Sequence, residues 1–569
     1  MLSAHPTSAA PFDVPLVVGV TSHRNLAAGE IEPIRRRVAE FFAQLKRDFP
    51  EMPLVMLSAL AEGGDQLVAQ EALAAGARLI APLPLLPGNY REDFIDEATR
   101  DEFADLCERG EVLQMPLLPG HSLADISMPG EARDRQYAQA GVFIASHCHI
   151  LLALWDGKES HLLGGTAQVV RYALDGVMPG WIERRRSERT VLNRVDESIV
   201  FHIACSRSDG QGGNLPPADG LAPLQARWIS QHQGRDAAEG MPDEFRRMFA
   251  HMREFNLDQR RIAIDDSGTV IDRLFSGADG LAIHFQQRVL RVMRSIHVLA
   301  ASTGIAFVWY ADLPADVPYQ VFGIYLFIAL FGAGMLLARL ARKRDWHRKY
   351  IDYRALAEGL RVQRFWRQAG VTSISPSAFA HDHFLQKTDI ELGWIRNVMR
   401  VPSLDRVGDA SVSSAQLAKV ISEWIGAPGQ GGQLDYYARK AEHRTRTQRT
   451  TQALGQASLW AGMAIVVALA LFQAWLGSGT TSLLLALLAV FGIIAAARES
   501  YAHRKGDKEL IKQYRYMLGI FCDARKKLDS AADDQSRREI LRALGEAALA
   551  EHSEWALLHR QRPLDNARF

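Results

Sequence analysis

Four long apolar runs, set in two close pairs, limit what this chain can become. Ser295 to Leu313 is followed by Val317 to Ala338, and Ala457 to Leu476 by Thr480 to Ala497. A bilayer span takes about 20 such residues, so each run is long enough to cross. The joining loops, Pro314-Ala315-Asp316 and Gly477-Ser478-Gly479, contain no Lys or Arg. The outer flanks are crowded with them: Arg288, Arg291, Arg294, Arg339, Arg342, Lys343 and Arg344 around the first pair, and Arg439, Lys440, Arg444, Arg446, Arg449, Arg498, Arg504 and Lys505 around the second. Core helices of a globular protein have no reason for that asymmetry. The positive-inside rule therefore predicts two membrane hairpins with both termini and everything before them in the cytoplasm.

The first part of the chain follows a different pattern. Short apolar runs predict buried strands at Leu16 to Val20, Leu54 to Leu57, Arg78 to Pro82, Val112 to Leu117, Ile150 to Leu154 and Ile199 to Ala204. Amphipathic stretches predict helices between them: Ile31 to Phe49, Gln66 to Ala75, Tyr90 to Cys107, Arg133 to Cys148 and Ala167 to Leu174. Strands alternating with helices predict an α/β, doubly wound parallel-sheet domain over residues 14–215. An α-helical membrane domain is expected to follow it. A linker with amphipathic helices is expected over 216–284, membrane units over 285–370 and 430–530, each with a cytoplasmic helix, and a helical tail over 531–569. Within the first unit, Asp352, Arg354, Glu358 and Arg361 are spaced to form ion pairs along or between helices.

Composition narrows the function classes. The net charge of the 569 residues is only +1, so no bulk attraction to nucleic acid is expected. Cys107, Cys148, Cys205 and Cys522 lack metal-ligand spacing and read as thiols of a reduced compartment rather than a disulfide frame. The chain does not open with a cationic, apolar leader.

In a parallel α/β sheet, ligands bind beyond the carboxyl ends of the strands. Three strand ends here carry suitable chemistry. The first, Gly19-Val20-Thr21-Ser22-His23-Arg24, offers close backbone approach, hydroxyls and a permanent cation. The second, Ser58 to Asp65, offers a hydroxyl, the carboxylates of Glu62 and Asp65, and the adjacent Gly63 and Gly64. The third, Trp155-Asp156-Gly157 leading to Gly164-Gly165-Thr166, presents backbone N–H groups and a hydroxyl at a helix start, which favours an anion such as phosphate. Arg207, beyond the last strand, either closes the pocket from the side or is simply solvated. His23, alone in a turn, reads more readily as a hydrogen-bonded residue than as a catalyst, and Arg24 is the better phosphate donor.

These three phrases, in this order, resemble the SLOG superfamily of Rossmann-like nucleotide-binding domains, over about residues 14–210. That resemblance implies a nucleotide or NAD-derived ligand at the sheet edge. Where the superfamily carries glycine before its His-Arg pair, this chain carries Ser22. The phosphoribohydrolase branch has a catalytic glutamate soon after its glycines, whereas here Ala167-Gln168-Val169-Val170 follows Thr166. Binding without turnover is therefore expected, with no catalytic residue and no metal assigned. The hairpin-plus-helix unit in turn resembles the SLATT family of two-transmembrane effectors. Together the two resemblances imply a bacterial inner-membrane effector of an antiphage conflict system. It would be a homo-oligomer, receive its signal from a partner enzyme and permeabilise the bilayer. The alternatives are a membrane-tethered hydrolase of a nucleotide derivative, using Glu62 or Asp65, and a constitutive channel or scaffold.

Overall fold

A computed structural model describes residues 12–182, 198–211, 213–230, 240–262, 268–312, 320–371, 384–385, 390–404, 412–427, 429–472 and 474–560. The chain divides into two compact units, one of residues 1–277 with 372–410, the other of 278–371 with 411–569.

In the first unit, the branched run Leu16–Ser22 forms strand β1, and helix α1 follows at Ile31–Asp48. The α1 stripe lies where its helical spacing puts it: Ile34, Val38, Phe41, Phe42 and Leu45 are all buried. Each such side chain contributes roughly 1.5–3 kcal/mol relative to exposure. The chain then runs through β2 (Leu54–Leu57), α2 (Gly64–Ala74), β3 (Arg78–Leu83), α3 (Pro87–Arg91), α4 (Glu97–Arg109) and β4 (Glu111–Gln114). It continues with α5 (Leu123–Ser127), α6 (Glu131–His147), β5 (Ile150–Trp155), α7 (Thr166–Asp175) and β6 (Ile199–Ala204). A two-stranded ribbon, β7 (Arg207–Ser208) with β8 (Asn214–Leu215), precedes β9 (Ala226–Ser230).

The main sheet has the order β4-β3-β2-β1-β5-β6-β9. All its pairs are parallel except β6 with β9. Because β2 and β5 both pair with β1, the direction of winding reverses between β1 and β5, which is where such sheets leave a crevice. Helices cover both faces. Phe201 of β6 stacks on Phe41 of α1 with ring centroids 4.5 Å apart, while its neighbour Val200 joins the core beneath α6 and α7.

Two local features differ from the sequence expectation. The helix expected over Tyr90 to Cys107 is two helices, α3 and α4, separated by residues 92–96. There Phe94 turns inward against Tyr90 and Phe103, at 5.1 and 5.2 Å between ring centroids. The expected linker supplies β9 to the sheet edge, and also helix α8 (Asp243–Gln259). The α8 stripe of Phe245, Met248, Phe249, Met252 and Phe255 is buried, and Phe249 meets Phe49 after α1. Asn256 Oδ1 accepts from the Val14 N–H at 2.8 Å and fixes the start of β1.

Helix α9 (Val270–Asp312) leads into the second unit, which continues with α10 (Phe322–Lys343) and α11 (Trp346–Ala369). The chain then returns to the first unit with the buried helix α12 (Gly393–Arg400), where Trp394 meets Phe255 of α8. It resumes the second unit with α13 (Ser414–Trp424), α14 (Gly432–Phe472), α15 (Ser478–Lys505), α16 (Asp507–Asp529) and α17 (Asp534–Arg560). Four helical stretches, Val270–Ala311, Phe322–Lys343, Gly432–Phe472 and Ser478–Asp529, are long and apolar enough to cross a membrane. The joining loop Pro314-Ala315-Asp316 lies outside the described residues.

The span glycines are used unevenly. On Gly462 a Cβ would meet Leu488 of α15 at 3.3 Å, and Gly334 faces Leu299 at 3.9 Å, while Gly332 has nothing within 4 Å. On Gly323, at the start of α10, a Cβ would stand 3.0 Å from the Ala306 carbonyl of α9, a tighter meeting than at Gly334. All four cysteines are free thiols.

Candidate site at the carboxyl edge of the sheet

The three motifs meet on one turn, Ser22-His23-Arg24. Ser22 Oγ donates to Asp65 Oδ1 at 2.6 Å, and the Ser22 carbonyl accepts from Thr166 Oγ1 at 2.8 Å. The His23 carbonyl accepts from the Gly64 N–H at 3.4 Å. His23 Nε2 lies 3.1 Å from the Asp156 amide and 3.2 Å from Asp156 Oδ1. Every one of these partners sits at the C-terminal end of a strand or the first turn of the following helix. The sheet topology therefore brings together residues far apart in sequence.

Electrostatics at this turn are set by burial. Desolvation pushes the Asp65 carboxyl up to about 6, against the opposing pull of the Ser22 hydroxyl and the Arg24 charge. Burial lowers the His23 pKa below 6.5, with Asp156 opposing the shift. A neutral ring carrying its proton on Nδ1 accepts from the Asp156 N–H through Nε2. Asp156 is buried, accepts from the Lys158 N–H at 3.1 Å, and has Arg207 Nη1 at 3.7 Å. Arg207 Nε also donates to Asn25 Oδ1 at 3.2 Å, so this cation borders the turn.

Arg24 is exposed, with its guanidinium 5.6 Å from the centroid of the Tyr137 ring. Tyr137 donates a hydrogen bond to Asp93, whose other oxygen accepts from Arg133 Nη2 at 2.7 Å. Sequence reasoning passed over Tyr137, Asp93 and Arg133. They sit on α6 and in the break between α3 and α4, and only the fold brings them under Arg24. The start of α7 completes the edge. Among the described residues, the Thr166 and Ala167 N–H groups have no acceptor, whereas the Gly165 N–H donates to Leu162 O at 3.0 Å.

The structure gives the other expected residues different surroundings. Gly19 lies within β1, where a Cβ would strike Ile144 of α6 at 2.7 Å, so its smallness serves packing. Thr21 is buried in the same strand opposite Ala153. Ser58 Oγ accepts from the Leu60 N–H at 3.1 Å and shapes its own loop. Glu62 accepts from Thr99 Oγ1 at 3.1 Å and from the Ile95 N–H, holding the start of α4. Gly63, at φ +90°, is forced by the Arg24 carbonyl, which a Cβ would meet at 2.2 Å. Trp155 Nε1 donates to Lys158 O at 3.0 Å, and Gly157 turns at φ +78° against Leu221. Gly164, at φ +74°, presses on the Ala138 backbone of α6.

This edge offers the Arg24 guanidinium, open helix N–H groups, a hydroxyl–carboxyl pair and a neutral imidazole. Those groups can bind an anion and hold the hydroxyls of a sugar. No group of three or more His, Cys, Asp or Glu side chains among the described residues is arranged to hold a metal. Comparison with family models, with curated proteins and with solved structures finds no match to the chain.

Proposed function

We propose that this chain is a membrane-anchored sensor that binds a nucleotide or NAD-derived anion at its sheet edge, without turnover, and answers by perturbing the bilayer. The observation that carries the reading is the convergence of three strand ends on the Ser22-His23-Arg24 turn, beside the open N–H groups of Thr166 and Ala167. In this reading the sheet is Rossmann-like, phosphate lies at the start of α7 with Arg24, and Asp65 and Asp156 face the sugar. The four apolar helices cross the bacterial inner membrane as two hairpins with cytoplasmic termini. The Lys and Arg flanks and the close approaches at Gly323 and Gly462 support that arrangement. The resemblances to SLOG and SLATT proteins extend the proposal to an antiphage homo-oligomer that receives its signal from a partner enzyme and opens when the ligand favours the open state.

One observation favours a second reading. Asp65 is buried beside the Ser22 hydroxyl with its pKa near 6, which suits a general acid–base residue of a nucleotide-derivative hydrolase.

The test is a thermal-shift screen of the full chain in detergent with NAD, ADP-ribose, AMP and ATP, followed by chromatographic recovery of the compound. A shift with the compound intact, lost in Arg24→Gln, is the result expected for the sensor. Recovery of cleaved compound, abolished in Asp65→Asn, selects the hydrolase instead. No shift with any of the four counts against both.

A further inference from the structure

Only 1 % of Tyr90 is exposed, yet its hydroxyl has no hydrogen-bond partner among the described residues. Buried phenols ordinarily find one, because a polar group taken from water without a partner costs free energy. The oxygen is not fully enclosed, so the small exposed remainder of the residue includes it. The ring behind it packs against three others, with centroids 5.1 Å from Phe94, 5.6 Å from Phe103 and 5.7 Å from Tyr137. The backbone is held as well: the Tyr90 N–H donates to the Leu86 carbonyl at 2.9 Å, and the Tyr90 carbonyl accepts from the Asp93 N–H at 3.2 Å. A side chain ordered in this way loses its rotamer freedom on folding rather than on binding.

The groups around this hydroxyl belong to the sheet edge. The Tyr137 ring neighbours both Tyr90, at 5.7 Å between centroids, and the Arg24 guanidinium, at 5.6 Å. Burial pushes the Tyr90 pKa well above its ordinary value, and among the charges that act on it Arg24 comes first, followed by Tyr137, Asp65 and Asp93. The phenol is therefore a neutral hydrogen-bond donor at physiological pH. Its neighbours do not use it. The Tyr137 hydroxyl donates to Asp93, and Arg133 occupies the other oxygen of that carboxylate. Arg24 meets Tyr137 but makes no ion pair among the described residues. A free hydroxyl beside a guanidinium without a carboxylate partner suits an oxygen of a phosphate, which accepts from both.

We propose that Tyr90 is a ligand-contacting residue of the sheet-edge site, its hydroxyl donating to the same phosphate oxygen that Arg24 binds. The role rests on the reading of that edge as an anion site. It gives the site a discriminating contact. The phenol is fixed by its packing and serves only a phosphate that reaches this point, whereas Arg24 on its flexible stem follows the ligand. Tyr90 and Tyr137 thus have different tasks: the hydroxyl of Tyr137 supports the fold through Asp93, and that of Tyr90 is kept for the ligand.

The experiment compares the full chain in detergent with its Tyr90→Phe and Tyr137→Phe variants, by melting without ligand and by thermal-shift titration with NAD, ADP-ribose, AMP and ATP. Tyr90→Phe removes a hydroxyl that no protein group uses, so its melting temperature without ligand is expected to stay within about 1 °C of the parent or to rise. Its apparent Kd for at least one probe is expected to rise about tenfold, the loss of a charge-assisted hydrogen bond. Tyr137→Phe strands an oxygen of Asp93 and is expected to melt about 2 °C lower or more. If Tyr90→Phe melts as low as Tyr137→Phe, the hydroxyl serves the fold and the proposal is overturned. It is overturned alone, with the anion site intact, if Tyr90→Phe binds every probe as the parent does while Arg24→Gln loses binding. If no probe binds the parent, or Arg24→Gln binds as well as the parent, the anion reading of the edge fails and this role fails with it.

Discussion

Ser22 Oγ donates to Asp65 Oδ1 at 2.6 Å, joining the end of β1 to the first turn of α2 within a buried edge of the sheet. The Asp65 carboxyl titrates near 6 in the fold, above its ordinary 3.8, so the folded protein holds that proton more tightly than the unfolded chain does. Below about pH 4 the group is protonated in both states and has no effect. Between about pH 4 and 6 stability falls, and above pH 6 the loss levels off at about 3 kcal/mol. Asparagine keeps an acceptor for Ser22 without the charge. Asp65→Asn is therefore expected to melt higher than the parent at pH 8 and close to it at pH 4. A difference that stays constant from pH 4 to 8 would show that Asp65 titrates normally.

Gly63 and Arg24 are joined by steric necessity. At φ +90°, with the Arg24 carbonyl 2.2 Å from where a Cβ would stand, Gly63→Ala must push the two loops apart. The expected cost is about 2–3 kcal/mol, read by urea denaturation of the α/β transition. Gly88→Ala, in α3 with nothing within 4 Å, is the matched control and should stay within about 0.5 kcal/mol. Equal effects from the two changes would mean that the loops do not pack as described.

In the helical unit, Glu358 neutralises Arg354 and Arg361, and Arg361 also reaches Asp279 at 3.6 Å. Glu358→Gln leaves both guanidinium groups half-buried beside a neutral amide. It is expected to destabilise the unit by about 3 kcal/mol, measured by thermal melting in detergent at pH 7. The parent should lose the same contribution only as pH falls from about 4.5 towards 2, because the folded pKa of Glu358 lies below its ordinary value. A variant that melts with the parent would place this cluster among the solvated ion pairs that contribute little.

Local pattern made much of the architecture legible. The α1 stripe from Ile34 to Leu45, the β1 run and the apolar helices follow from spacing and hydropathy over a single segment. The pairing expected of Arg354, Glu358 and Arg361 followed from helical spacing in the same way. What depends on distant partners was not legible. β9 joins the sheet through an antiparallel pairing with β6 that no local pattern announces. The break between α3 and α4 exists because Phe94 packs inward. Gly19, Gly63 and Gly164 looked like ligand-facing glycines, but each is required by a neighbouring side chain or backbone that the sequence does not reveal. Arg24, Tyr90 and Tyr137 meet although tens of positions or more separate them in sequence.

The central claim is that a nucleotide-type anion at the Ser22-His23-Arg24 turn controls the membrane helices. Its most direct test is release of a self-quenched dye from liposomes carrying the full chain, with NAD, ADP-ribose, AMP and ATP added in turn. The account predicts little release before addition, rapid release with at least one of these compounds, and none with the Arg24→Gln chain. Release that is independent of any nucleotide, absent with all four, or equal for the parent and Arg24→Gln would contradict it.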